Sequence, residues 1–162
     1  MPSSGTGTKP EPMAALFAFL HHLAAFALVS ALVVEFVLLR GELTVATARK
    51  IQVYDLVYGA SAGLVFLVGV ARVLYFEKGA DYYLHSIPFI AKLALFLVVG
   101  LLSIYPTVTF LSWGKYLRLG QAPALSESRL RSIRTVIHAE MAGVVLILLC
   151  AALMAHGIGY AG

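Results

Sequence analysis

Arg72-Val73-Leu74-Tyr75-Phe76-Glu77-Lys78-Gly79-Ala80-Asp81-Tyr82-Tyr83-Leu84-His85-Ser86-Ile87-Pro88-Phe89-Ile90-Ala91-Lys92 closes one long apolar run and opens another, which continues to Ile104-Tyr105-Pro106. Each run is near the roughly 20 residues that a helix needs to cross a bilayer. The stretch therefore reads as the end of one membrane helix, a short aromatic loop and the start of the next. It also sets Arg72 and Lys92 where hydrocarbon is expected.

The rest of the chain repeats this pattern. Of 162 residues, 60% are hydrophobic and only 12% charged, about half the charged share of an ordinary soluble domain. Four spans are predicted, at residues 13–39, 51–76, 87–113 and 131–156. Together they make one all-α membrane domain over residues 13–162, a four-helix bundle in contact with the lipid bilayer, behind a flexible tail at residues 1–12. The first run covers about 40 Å as a helix. It is too long for a signal-peptide core and carries His21, His22 and Glu35. Cys150 is the single cysteine, so no intrachain disulfide can form. The net charge of +4 comes without a basic stripe interleaved with stacking aromatics, so nucleic acid is not an expected partner. No phosphate-binding glycine loop or zinc-protease helix motif is present.

Charge in the connections sets the orientation. The first loop holds Arg40, Arg49 and Lys50, and the third connection holds Lys115, Arg118, Arg129, Arg131 and Arg134. The tail has only Lys9 and the second loop only Lys78. Loops 1 and 3 are therefore expected in the cytoplasm, with both termini and loop 2 outside. Tyr75, Phe76, Tyr82, Tyr83 and Tyr160 would belt the outer interface, and Trp113 and Tyr116 the inner one. Gly59 and Gly63 form a small-xxx-small face, suited to close packing within the monomer or to a homodimer. Pro88 fits the first turn of span 3. Pro106 should kink that helix or end it early, with Ser103 and Thr107 satisfying the freed carbonyls. Ser126 is expected to cap the last helix.

Ionisable groups in hydrocarbon are costly and mark the candidate sites. His21 and His22 lie about 6–8 Å from the membrane centre, Lys92 about 11 Å and Arg72 about 13 Å, all towards the outside. His85 is at the outer boundary. An imidazole for a metal, with cations for acidic groups on the same ligand, is the chemistry of haem b. The plainer reading has Arg72 and Lys92 snorkelling to Glu77 and Asp81. His21 and His22 point about 100° apart, so they cannot clamp one metal together, and the pattern leaves open which faces the bundle. Glu35, Asp55, His138 and Glu140 lie towards the inside and suggest a path for protons or metal ions. His138 and Glu140 stand about 200° apart on one helix, so they cannot face one pocket. His138 also lies about 15 Å in depth from His22, which makes His85 the better second ligand.

The segments Leu20-His21-His22-Leu23-Ala24-Ala25-Phe26, Tyr75-Phe76-Glu77-Lys78-Gly79, Lys92-Leu93-Ala94-Leu95-Phe96 and Gly100-Leu101-Leu102-Ser103-Ile104-Tyr105-Pro106 resemble a bacterial family of four-helix membrane proteins catalogued as domain of unknown function 2214. That resemblance implies a multi-pass protein of the bacterial inner membrane and supplies no activity. His22 and Ala91-Lys92-Leu93 also resemble, more distantly, the HemJ-type membrane protoporphyrinogen oxidase and the copper-resistance D domain. In the oxidase the first-span histidine is implicated in haem binding. The leading expectation is a haem b-binding redox or electron-transfer protein. His22 or His21 would ligate iron, Arg72 and Lys92 would hold propionates, and a quinone or periplasmic protein would exchange electrons. The alternatives are a metal-ion or proton transporter subunit and a non-catalytic structural subunit.

Overall fold

The computed structural model describes residues 11–76 and 85–159. Glu77, Lys78, Asp81, Tyr82, Tyr83 and Tyr160 lie outside the described residues, as do residues 1–10 of the expected tail.

Four long helices make the fold: α1 (Glu11–Arg40), α2 (Val45–Ala71), α3 (Ile87–Ser112) and α5 (Glu127–Ala155), with a short α4 (Gly114–Arg118) between α3 and α5. All four long helices have the length and apolarity to cross a membrane. An even number of crossings returns both termini to one side.

The helix starts are set by side-chain caps. The Thr44 hydroxyl accepts from the Thr47 amide at 3.1 Å, and that of Ser126 from the Arg129 amide at 3.3 Å. Each satisfies one of the four unpaired amides at a helix start. As a result α2 and α5 begin several residues before the predicted spans. Arg49 and Lys50 thus stand on α2 itself, not in a loop. At its far end α2 continues into one wide π-helical turn, Arg72–Phe76.

Pro106 neither ends α3 nor stops it short: the helix runs to Ser112 with Pro106 buried inside it. A helix that broke in hydrocarbon would strand several polar groups, so continuation is cheaper. Ser103 donates to Gly100 O at 2.8 Å and Thr109 to Tyr105 O at 2.9 Å. Thr107 is turned away from its own helix to another partner, described below.

α1 packs along α2, and α3 along α5. Looser α1–α5 and α2–α3 contacts close the ring, and across the α2–α5 diagonal the Tyr58 side chain reaches Glu140. The core is heaviest at the end carrying the basic loops. Leu39, Ala48, Ile51, Phe110, Trp113, Leu117, Ile133 and Ile137 are all buried there. Trp113 is 1% exposed, with its ring 4.8 Å from that of Phe110. It therefore fills the basic-loop end of the bundle and does not belt the interface, whereas Tyr116 is exposed.

Small residues set the helix spacing at other points than expected. A methyl group on Gly143 of α5 would overlap the Val99 side chain of α3. One on Gly59 or Gly63 would meet nothing within 4 Å. That glycine face is turned out of the monomer because the buried stripe of α2 runs through Ile51, Asp55 and Tyr58, and Gly59 sits about 100° round from Tyr58. Packing within the monomer is thus not its role. Gly143→Val should lower the thermal midpoint in detergent by overpacking, at a cost of about 1–3 kcal/mol. Gly59→Ala should leave the midpoint unchanged, and equal effects of the two would contradict this account.

Candidate functional site

Three carboxyl groups lie within electrostatic reach of one another inside the bundle, and helical periodicity puts them there. On α1, Leu28, Leu32, Glu35 and Leu39 follow one another at spacings of four and three and are all buried. On α2 the stripe is Ala48, Ile51, Asp55 and Tyr58. On α5 it is Ile133, Ile137, Glu140 and Val144. Each acid occupies a core position in an otherwise apolar stripe. Glu35, Asp55 and Glu140 are 1%, 6% and 0% exposed.

The charged neighbours of Glu35 are the carboxyls of Asp55 and Glu140. α3 contributes Thr107, whose hydroxyl donates to Asp55 Oδ1 at 2.7 Å. The Tyr58 phenol stands in hydrogen-bonding reach of the Glu140 carboxyl, and Glu35 Oε1 is buried without a hydrogen bond. All four long helices thus feed one acidic seam. Three carboxylates in low dielectric cannot all carry charge without compensation; the seam holds protons or shares a cation. Among the described residues no three His, Cys, Asp or Glu side chains are grouped to hold a metal ion.

His138 does not join the seam. It is exposed, donates Nδ1–H to Arg134 O at 2.6 Å, and sets its ring edge against Phe36 at 4.7 Å. The half-turn between it and Glu140 sends it to the outside of the bundle.

Below the seam, side chains reach across to main-chain carbonyls near helix ends. Arg134 Nε donates to Leu39 O at 2.8 Å, Gln52 Nε2 to Phe110 O at 2.6 Å and an Arg49 terminal nitrogen to Leu117 O at 3.0 Å. These bonds tie α5 to α1, and α2 to α3 and α4. Cations there also complement the helix dipoles.

At the other end, the two histidines separate. His22 is exposed and donates Nδ1–H to Ala18 O of its own helix at 2.6 Å. His21 turns inward against α2, near Val65 and Gly69. Gly69 makes this approach feasible, since an added methyl would lie 3.3 Å from His21 Cε1. Arg72 and Lys92 are within electrostatic reach of His21, and His21 Nδ1 is buried without a hydrogen bond. Lys92 Nζ also lies 5.4 Å from the centre of the Phe89 ring. His85 is exposed in the turn before α3. At this end the residues brought together are therefore His21, Arg72 and Lys92.

Sequence reasoning missed Tyr58, and gave Thr107 a backbone role. The signal for Tyr58 was its place one turn from Asp55 on the same stripe. For Thr107 there was none, because its partner lies 52 residues away.

A family model described as a predicted membrane protein, DUF2214, matches residues 13–159. The chain belongs to that family. No curated protein and no solved structure matches it. This DUF2214 member is an integral membrane protein with four candidate spans.

Thr107→Val should leave Asp55 without its donor and lower the thermal midpoint, by about 1–3 kcal/mol of stability. Adding Asp55→Leu removes the orphaned acid and should recover most of that loss. A double variant as unstable as the single one would contradict the pairing.

Proposed function

We propose that this protein moves protons within the membrane, as a proton-transferring or proton-coupled transport subunit. The observation that carries the reading is the seam of Glu35, Asp55 and Glu140. It combines nearly complete burial, carboxyls from three helices and a Glu35 oxygen with no bonded partner. Acids in such positions bind and release protons in membrane pumps and carriers. Tyr58 and Thr107 supply hydroxyls beside two of the three carboxyls, as a relay requires. With the basic loops cytoplasmic, the seam lies in the inner half of the bilayer, and the bacterial inner membrane is the proposed location.

The test is proton flux into liposomes under an imposed potential, read with an internal pH dye. Wild-type protein should exceed empty vesicles. Glu140→Gln and Asp55→Asn should each reduce the flux at least about tenfold, a loss typical of removing a proton-transfer group. His138→Ala should leave it unchanged. Flux no greater than in empty vesicles, or full flux in both acid variants, would defeat the reading.

A second reading is haem b binding at the outer end, and one observation favours it: His21 Nδ1 is buried, unbonded and close to Arg72 and Lys92. A neutral imidazole nitrogen is a good iron ligand, and the two cations suit propionates. Haem at this end would take His21 as its ligand, with Arg72 and Lys92 for the propionates. Bound there, haem would supply one-electron chemistry, with a quinone or a periplasmic protein as the exchange partner. Hemin titration of the purified protein should then give a Soret band that His21→Ala abolishes and His22→Ala retains. No band in the wild type, or loss with His22→Ala alone, would exclude this assignment.

A further inference from the structure

A groove of about 540 Å³ opens on the outside of the bundle between α2 and α4. Arg49, Gln52, Val53 and Leu56 line it from α2, and Gly114, Leu117 and Arg118 from α4. The first four follow at i, i+3, i+4 and i+7, one face of a helix. The last three follow at i, i+3 and i+4. The groove is thus a meeting of two helical faces, at the level where the basic loops leave the membrane.

Its chemistry changes with depth. Arg49 lies near the start of α2, and Leu56 lies about 10 Å further along it. Val53 and Leu56 are 58% and 71% exposed, a surface for hydrocarbon. At the shallow end two guanidinium groups share one groove. Arg49 donates to Leu117 O and Arg118 Nε to Gly114 O at 3.3 Å. A guanidinium has five N–H donors, so most remain available on each. Among the described residues neither arginine meets a carboxylate. Lys50 and Lys115 flank the groove and are exposed. The Gln52 amide nitrogen is engaged with Phe110 O and adds no competing charge. Gly114 keeps the floor open, since a methyl group there would touch nothing within 4 Å.

Two uncompensated arginines above an apolar strip match a molecule with an anionic head and a hydrocarbon tail. We propose that this groove is a binding site for an anionic phospholipid. Arg49 and Arg118 hold the phosphate oxygens, and an acyl chain lies along Val53 and Leu56. Basic recesses between membrane helices at the cytoplasmic face recognise lipid headgroups in this way, and arginine suits phosphate by its forked donors. The site does not depend on the proton or haem reading.

The full-length protein in detergent, titrated with phosphatidylglycerol or phosphatidylcholine and read by native mass spectrometry, tests it. Phosphatidylglycerol should be retained at least about tenfold better, about 1.4 kcal/mol. Arg118→Gln and Gly114→Leu should each abolish that preference; neither side chain ties two long helices together, so both variants should fold. Arg49→Gln should do the same but also loosens α4, so its melting curve is read alongside. Arg131→Gln, which alters an exposed arginine outside the groove, should keep the preference. Equal retention of both lipids, or preference intact in Arg118→Gln and Gly114→Leu, would overturn the proposal. Displacement of phosphatidylglycerol by equimolar inorganic phosphate would also overturn it, in favour of a site for free phosphate.

Discussion

Burying a carboxyl group away from water is among the most expensive things a membrane helix can do. This bundle does it three times in one place. Glu35, Asp55 and Glu140 each replace an apolar residue in a core stripe. Each faces the seam between the helix pairs, where lipid does not reach. The rest of the inner half is arranged around that cost. Thr107 spends its hydroxyl on Asp55 and not on its own helix. Tyr58 turns its phenol towards Glu140. The tightest packing, through Phe110, Trp113, Ile133 and Ile137, closes the bundle directly beneath.

The two ends of the molecule are built differently. At the basic-loop end, Arg49, Gln52 and Arg134 cross between elements and bond main-chain carbonyls near helix ends. In a bilayer there is little hydrophobic drive to hold helices together, so such bonds and close packing carry the association. At the other end the devices are of another kind. Gly69 admits the His21 ring, and α2 widens into a π turn at Arg72–Phe76. Widened turns of this kind often accompany functional positions, and this one begins at the cation nearest His21 in the α2 sequence.

The basic end also faces its surroundings. Arginines that stitch the bundle on one side keep donors pointing outward on the other. Arg49 is the clearest case: one N–H holds α4, and the rest of the guanidinium borders an open groove.

Apolar run length and helical spacing determined a good deal without coordinates. Four spans, an all-α bundle and the burial of three acids follow from the cost of polar groups in hydrocarbon, which few sequence patterns can satisfy. Helical spacing alone also separated His138 from Glu140. What the tertiary structure decided was the rotation of each helix about its axis. It turned His21 in and His22 out, buried Trp113, left Gly59 and Gly63 open, and brought Thr107 to Asp55. The sequence could not settle these because lipid and neighbouring helices are both apolar. A membrane helix therefore carries little amphipathic signal to say which face looks inward, and only the packing of one helix on another resolves it.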